Sequence, residues 1–289
     1  MIRRVDLRGK HLSKAEYNRL IPRAALDVAT AMNTIEPILQ QVKNGREADL
    51  IELAIKFDGI APPTIRVPRN ELIKALSELD SKVRESLEVA IQRVRLVHSD
   101  QIRSDKTTVV EEGATITERW IPVDRVGLYV PGGRAVYPSS VIMNVIPAQI
   151  AKVPSIAVAS PPQKDNGGWP NKFILATCEL LGIDEVYAIG GAQAIALFAY
   201  GMEGVCEKAD LVTGPGNIYV AAAKRALRGL IGIDSEAGPT EITILADKSA
   251  KASDVASDLI SQAEHDVIAA SVLVTDSLEL ADQVESELK

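Results

Sequence analysis

The feature that most limits how this chain can fold is an alternation of short apolar segments with helical segments. Apolar, β-branched runs with the length of strands lie at residues 126–130, 155–159, 185–189, 210–212 and 242–245. Helical patterns near residues 140–152, 170–181, 192–200 and 217–228 separate them. This order predicts βαβ units and a mostly parallel sheet. Ligands of such sheets bind at the carboxyl ends of the strands.

The chain before this alternation reads as mostly helical. Polar-surfaced helices are predicted at residues 12–20, 31–43 and 47–57, broken by Pro22, Gly45 and Gly59. Apolar residues near helical spacing predict one long helix over residues 71–98, with Asn70 as its N-cap. The β-branched residues from 107 to 123, around Gly113, predict a hairpin.

The chain after the alternation contains a helix that begins at a Ser253 cap and leads to Gln262 and His265. A strand at residues 268–275 and a last helix near Ser277 follow.

Composition excludes several classes of function. A chain of 289 residues with 46% hydrophobic content can form one large or two medium domains. A net charge of -7 provides no basic field for nucleic acid, which we do not expect as a partner. We expect no membrane association and a cytoplasmic location, because no apolar run approaches the roughly 20 residues of a span and no signal peptide is recognisable. Cys178 and Cys206 fit a reducing compartment and are interpreted as buried small residues.

Glycine turns follow three of the predicted strands, and each turn carries an aromatic or amide side chain. Tyr129 precedes Gly132, Gln193 follows Gly190 and Gly191, and Asn217 follows Gly214 and Gly216. Such turns let a ligand approach the backbone, and the following helix N-termini favour anions. We expect Tyr129, Gln193 and Asn217 to converge at one sheet edge, where they can stack on and hydrogen-bond to a nucleotide. Plain tight turns are the alternative, since none is a G-x-G-x-x-G.

Gln262 and His265 are candidate metal ligands. Residues three apart on a helix project to the same side, so one metal or ligand can touch both. A solvated helix end is the alternative reading. In the turn before residue 242, the Thr240 hydroxyl is a candidate for binding a polar substrate, although simple capping of the turn explains it equally well.

Six motifs, in order along the chain, resemble those of histidinol dehydrogenase. They are residues 127–133 (GLYVPGG), 136–144 (VYPSSVIMN), 190–194 (GGAQA), 214–220 (GPGNIYV), 237–241 (AGPTE) and 261–266 (SQAEHD). Asp6-Leu-Arg and Phe57-Asp-Gly also resemble segments of this family, so the resemblance covers nearly the whole chain.

The resemblance implies an NAD- and zinc-dependent enzyme that oxidises L-histidinol through the aldehyde to L-histidine. It assigns NAD contacts to Tyr129, Gln193 and Asn217. It assigns zinc and substrate contacts to Gln262 and His265, and a further substrate contact to Thr240, where the family commonly has serine.

The resemblance also implies two α/β domains of nucleotide-fold-like (Rossmann-like) type with mostly parallel sheets, and a homodimer. We expect a helical N-terminal segment at residues 1–49. Residues 50–128 and 238–289 are expected to form one domain, with residues 129–237 inserted as the other.

The family's catalytic Glu–His pair and its remaining zinc ligands match no residues of this sequence and would follow Lys289. We therefore expect no catalytic residue among the 289 and little activity from them alone. Glu264 next to His265 is not that pair. Two alternatives are a non-catalytic binding protein derived from the fold and an aldehyde-dehydrogenase-like enzyme with a cysteine nucleophile. The second is disfavoured, because neither Cys178 nor Cys206 has a histidine nearby in sequence.

Overall fold

A computed structural model describes residues 2–20, 28–132, 136–236, 241–264 and 269–289. The chain divides into two compact units, one of residues Val28–Glu236 and the other of Met1–Asp27 together with Ala237–Lys289. Each unit is described separately.

The secondary structure of the described residues follows the predicted alternation. Its helices are α1 (Lys14–Leu20), α2 (Val28–Asn44), α3 (Glu47–Asp58), α4 (Arg69–Ser77), α5 (Ser81–Asp100), α6 (Pro138–Ile150), α7 (Lys172–Leu180), α8 (Gly191–Tyr200), α9 (Ile218–Leu227), α10 (Ala252–Ala263) and α11 (Leu278–Glu287). Its strands are β1 (Lys106–Glu111), β2 (Ala114–Glu118), β3 (Arg125–Tyr129), β4 (Ser155–Ser160), β5 (Val186–Ala188), β6 (Leu211–Thr213), β7 (Gly232–Ile233), β8 (Glu241–Leu245) and β9 (Ala270–Val274).

The larger unit is built on a parallel sheet with the strand order β5-β4-β3-β6-β7. The chain enters this sheet at the central strand β3 and continues outward through β4 and β5. It then returns and places β6 on the other side of β3. The order of strands therefore reverses between β3 and β6. This doubly wound α/β arrangement confirms the predicted fold class and has a topological switch point at that pair.

Helices cover both faces of this sheet, as expected for buried parallel strands. Side chains alternate along each strand: Val126 and Leu128 of β3 join one apolar core with α4 to α7, whereas Tyr129 joins the other core with α2, α3, α8 and α9. Every residue of β3 is buried, so its apolar run reads as continuous in sequence.

Two features of the larger unit differ from the predictions. The predicted helix over residues 71–98 is two helices: α4 has Pro68 rather than Asn70 at its N-cap, and Asp80 caps α5 by accepting hydrogen bonds from the backbone N–H groups of Lys82 and Val83. The apolar spacing continues across this break and hides it. The two-residue strand β7 was not predicted, because it contains no apolar run.

Residues 242–245 lie in the smaller unit. They belong to β8, which pairs with β9 in a separate parallel pair of the smaller unit. Helices α10 and α11 form an apolar cluster there around Leu259 and Leu280. Helix α11 begins next to Ser277 as predicted, and Ser277 is its N-cap. Helix α10 has Lys251 rather than the predicted Ser253 at its N-cap, and Ser253 lies inside its first turn.

Two other predictions concern the hairpin and the cysteines, and both are confirmed. Strands β1 and β2 pair antiparallel across a turn that contains Gly113, and Cys178 and Cys206 are buried free thiols. Among the residues that the structure describes, no helix combines the length and apolar character that a membrane span requires. Residues 50–128 pack with residues 129–236 in the larger unit. Their assignment to a domain shared with residues 238–289 stays a prediction.

Candidate functional site

The carboxyl edge of the larger unit's sheet is the candidate site, because the switch point lies there. Tyr129 is the last residue of β3, and Thr213 is the last residue of β6 on the neighbouring strand. The loops that leave β3 and β6 turn to opposite faces of the sheet, which opens a crevice between them. The three predicted glycine turns all lie at this edge.

Tyr129 connects the end of β3 to the start of α8. Its ring is packed in the apolar core and is 3% exposed, and its hydroxyl accepts a hydrogen bond of 3.2 Å from the backbone N–H of Gly191. Burial raises the pKa of Tyr129 to about 12, so that the hydroxyl remains protonated at neutral pH. The ring of Tyr129 exposes no face on which a nucleotide could stack, whereas the sequence predicted such stacking.

Gln193 lies in the first turn of α8 and is also buried, with 2% of its surface exposed. Its side chain folds back towards the start of the helix. Gln193 Oε1 lies so close to Gly191 that a Cβ placed there would be 2.9 Å from it. Gly191 itself has a φ of +61°, which favours glycine. The amide of Gln193 and the hydroxyl of Tyr129 are thus both held beside the N-terminus of α8.

The turn after β6 is fixed by buried polar contacts. Gly214 has a φ of +119°, and a Cβ there would lie 2.0 Å from the carbonyl oxygen of Tyr129. The ammonium of Lys224, 1% exposed, donates 2.6 Å hydrogen bonds to the carbonyl of Gly214 and to Asp234 Oδ1. Asp234 Oδ2 accepts from the Gly214 N–H at 2.9 Å, and Asn144 accepts from the Thr213 hydroxyl at 2.9 Å.

Asn217 is exposed and serves as the N-cap of α9. Its side-chain oxygen accepts hydrogen bonds from the backbone N–H groups of Tyr219, at 3.0 Å, and Val220, at 3.2 Å. The structure therefore brings Tyr129, Gln193 and the Gly214 turn together, with Asn217 at the end of that turn. Their contacts with NAD stay a prediction.

Two further polar groups at this edge were missed from the sequence. Asp58 Oδ2, at the end of α3, and Ser160 Oγ, at the end of β4, are buried without a hydrogen-bond partner. Burial raises the pKa of Asp58 to about 6. The only sequence signal for Asp58 was its place in the Phe57-Asp-Gly motif. Ser160 had none, because its position depends on strand pairing.

The predicted metal and substrate residues lie in the smaller unit. Gln262 is half-buried in the last turn of α10. His265 and Thr240 lie outside the described residues. Among the residues that are described, no three His, Cys, Asp or Glu side chains come together as a metal cluster.

The cysteine environments give no support to a nucleophilic role. Burial raises the pKa of Cys178 above its usual value, and the nearby charge of Glu179 acts in the same direction. Burial also raises the pKa of Cys206, although hydrogen bonds from its neighbours oppose the effect. A reactive cysteine needs the thiolate form, which these surroundings disfavour.

The opposite, amino edge of the sheet holds a buried ion pair. The guanidinium of Arg125 pairs with Glu185 through both of its terminal nitrogens, and the Tyr187 hydroxyl donates to Glu185 at 2.5 Å. Although burial acts to raise it, the hydrogen bonds from Arg125 and Tyr187 hold the pKa of Glu185 below its usual value. Because these groups join the starts of β3 and β5, we assign them a structural role.

A doubly wound sheet with a glycine-lined carboxyl edge defines an α/β protein of the nucleotide-fold type. The sequence model of the histidinol dehydrogenase family matches residues 21–289, and the chain belongs to that family.

Individual relatives agree with this assignment. The chain is 63% identical to the histidinol dehydrogenase of Thermobifida fusca (strain YX), over 100% of this chain and 65% of the relative. It is 59% identical to the Streptomyces avermitilis enzyme, over 100% of this chain and 66% of the relative. The crystal structure of histidinol dehydrogenase from Elizabethkingia anophelis superposes with a TM-score of 0.85 at 32% identity, covering 96% of this chain and 64% of that one. The chain thus spans slightly less than two thirds of these relatives' length.

Proposed function

We propose that this chain carries the cofactor-binding edge and part of the metal site of an NAD-dependent histidinol dehydrogenase. The reaction is the oxidation of L-histidinol through the aldehyde to L-histidine, the last steps of histidine biosynthesis. The observation that carries the proposal is the convergence of Tyr129, Gln193 and the Gly214 turn at the switch point. Family membership supports the choice of reaction.

The residues at this edge fit a dinucleotide. Gly214 lets the turn after β6 pack against the backbone of Tyr129, and α8 and α9 direct their N-termini to the same edge. The amide of Gln193 can donate and accept hydrogen bonds, and Asn217 orients the start of α9. When bound, NAD would accept hydride from the substrate carbon. The chain's own contribution is to hold the cofactor and to exclude water from its surface.

The zinc part of the proposal rests on the family resemblance. Gln262 and His265 would supply an amide oxygen and an imidazole nitrogen, and Thr240 would contact the substrate. Zinc sites usually contain three or four protein ligands, so two donors form half a site. The remaining ligands and the acid/base Glu–His pair would come from family segments that this sequence does not contain. The homodimer and the cytoplasmic location are proposed on the same basis.

The test separates cofactor binding from turnover. We expect the 289-residue chain to bind NAD in calorimetry and to produce little NADH from L-histidinol. A chimera that adds the C-terminal part of the Thermobifida fusca relative should produce NADH and behave as a dimer in light scattering. In that chimera, His265→Ala should abolish turnover and lower the zinc content, while NAD still binds.

Three outcomes would contradict parts of this proposal. A 289-residue chain that holds zinc tightly and sustains turnover would contradict the assignment of the catalytic pair to residues outside these 289. A chimera that binds NAD and L-histidinol but yields no NADH would favour the non-catalytic binding protein. Full activity in the His265→Ala chimera would remove His265 from the site.

A further inference from the structure

We propose that Asp58 and Ser160 form a polar subsite that binds the hydroxyls of a ribose of the dinucleotide. This inference rests on the proposed NAD binding and adds two residues from elements that the glycine turns do not include.

The first observation is that both oxygens lack partners. Asp58 Oδ2 and Ser160 Oγ are buried with no hydrogen-bond partner in the protein, and the Ser160 residue is 0% exposed. A buried polar atom without a partner costs about 1–3 kcal/mol, and more for a charged group. Native proteins seldom keep two such atoms at one sheet edge unless a ligand completes their hydrogen bonds.

The second observation is that glycines lie against Ser160 Oγ and against the other oxygen of the Asp58 carboxylate, Oδ1. A Cβ on Gly190 would lie 3.3 Å from Asp58 Oδ1 and 2.8 Å from Pro161 Cγ. A Cβ on Gly132 would lie 3.0 Å from Ser160 Oγ and 3.4 Å from Pro161 Cδ. Pro161 contacts both glycine positions and therefore lies between them. A side chain at either glycine would crowd the Asp58 carboxylate or the Ser160 hydroxyl.

The third observation is the place of these groups relative to the cofactor edge. Gly190 is the N-cap of α8, immediately before the Gly191 N–H that binds the Tyr129 hydroxyl. The negative charge of Asp58 acts on the pKa of Tyr129, which shows that the two groups are near one another. The two partnerless oxygens thus adjoin the residues that the resemblance assigns to NAD.

The chemistry of the pair selects the ligand. A carboxylate accepts hydrogen bonds and repels phosphate, so Asp58 does not suit the pyrophosphate of a dinucleotide. A vicinal diol offers two adjacent hydroxyl donors, and carboxylates take this role in other dinucleotide-binding sheets. The Ser160 hydroxyl can both donate to and accept from the same sugar.

The experiment measures NAD affinity and stability together for the 289-residue chain. Asp58→Asn and Ser160→Ala should each weaken NAD binding about tenfold, as expected for one lost hydrogen bond to a ligand. Asp100→Asn, at the exposed end of α5, is the matched control and should bind like the wild type. The melting temperature of the ligand-free variants should not fall, because Asp58→Asn removes a buried charge and Ser160→Ala removes an unsatisfied hydroxyl.

Mononucleotide probes test the diol. AMP or nicotinamide mononucleotide should lose affinity in both variants, and 2′,3′-dideoxy-AMP should bind wild type and variants equally. Loss of melting temperature together with NAD affinity would show a structural role and overturn the proposal. NAD binding that is lost in Gln193→Ala but kept in Asp58→Asn and Ser160→Ala would overturn this subsite alone. No NAD binding by the wild type would overturn the cofactor edge as well.

Discussion

Replacing Lys224 by Met should strongly destabilise the larger unit. Methionine keeps the apolar stem of a lysine that is 1% exposed but removes its ammonium. Two hydrogen bonds of 2.6 Å are then lost, one to the Gly214 carbonyl and one to Asp234. Charge-assisted hydrogen bonds contribute about 1.5–3 kcal/mol each. Breaking a buried pair by removing one partner costs about 3–5 kcal/mol.

We expect the lower part of that range, about 3 kcal/mol, because Asp234 is 33% exposed and water can reach it. Asp234 also keeps its hydrogen bond from the Gly214 N–H. In a double-mutant cycle with Asp234→Asn, the coupling energy should be about 1.5–3 kcal/mol.

The measurement is urea unfolding followed by tryptophan fluorescence. Both tryptophans of the chain, Trp120 and Trp169, lie in Val28–Glu236, so the signal reports the larger unit alone. Lys74→Met, on the exposed face of α4, is the control and should change stability by less than about 0.5 kcal/mol. A loss below about 1 kcal/mol in Lys224→Met, or no coupling to Asp234, would refute the assignment of Lys224 to the Gly214 turn.

Three further predictions use the same unfolding assay. Gly214→Ala should lower the free energy of unfolding by about 2–4 kcal/mol, because its Cβ would lie 2.0 Å from the Tyr129 carbonyl oxygen. The control is Gly204→Ala, which has a φ of +73° but no atom within 4 Å of its Cβ and should cost about 1 kcal/mol. Equal losses in the two variants would contradict the clash. Burial raises the pKa of Asp58 in the folded state to about 6. The free energy of unfolding should therefore be highest below about pH 4 and should fall by about 3 kcal/mol as the pH rises through 6. Asp58→Asn should abolish that part of the pH dependence, and an unchanged slope would refute the assignment. Tyr187→Phe should lower the free energy of unfolding by about 1–2 kcal/mol, because it removes the hydrogen bond to Glu185. The control Tyr200→Phe should leave stability unchanged. Similar losses in both variants would argue against the buried network.

The sheet of the larger unit was largely predictable because its strands are buried on both faces. Strand β3 is apolar at each buried position apart from Arg125 and Gly127, and such runs stand out between helical segments. The glycine turns at strand ends were also visible, which located the switch edge. By contrast, the break between α4 and α5 depends on the side chain of Asp80 capping a helix whose apolar spacing never changes.

The polar contacts of the site were hidden because they join residues far apart in sequence. Lys224 reads as an ordinary helix lysine, and only the fold places it against Gly214 and Asp234. Asp58 and Ser160 come from different elements and meet the edge through packing. Thr240 and His265 lie outside the described residues, so their roles, like that of Gln262, stay predictions.

The central position of β3 has a consequence for how the protein is made. Its backbone receives partners from β4 and β6, and the Arg125 N–H bonds to Asp210, 85 residues later in the chain. Synthesis at about 5–20 residues per second leaves this apolar strand half-paired for several seconds after it leaves the ribosome. During that interval the nascent chain exposes an unpaired strand edge, and the Gly214 turn lacks its hydrogen bond to Asp234. We therefore expect chaperones to bind the nascent chain during this interval.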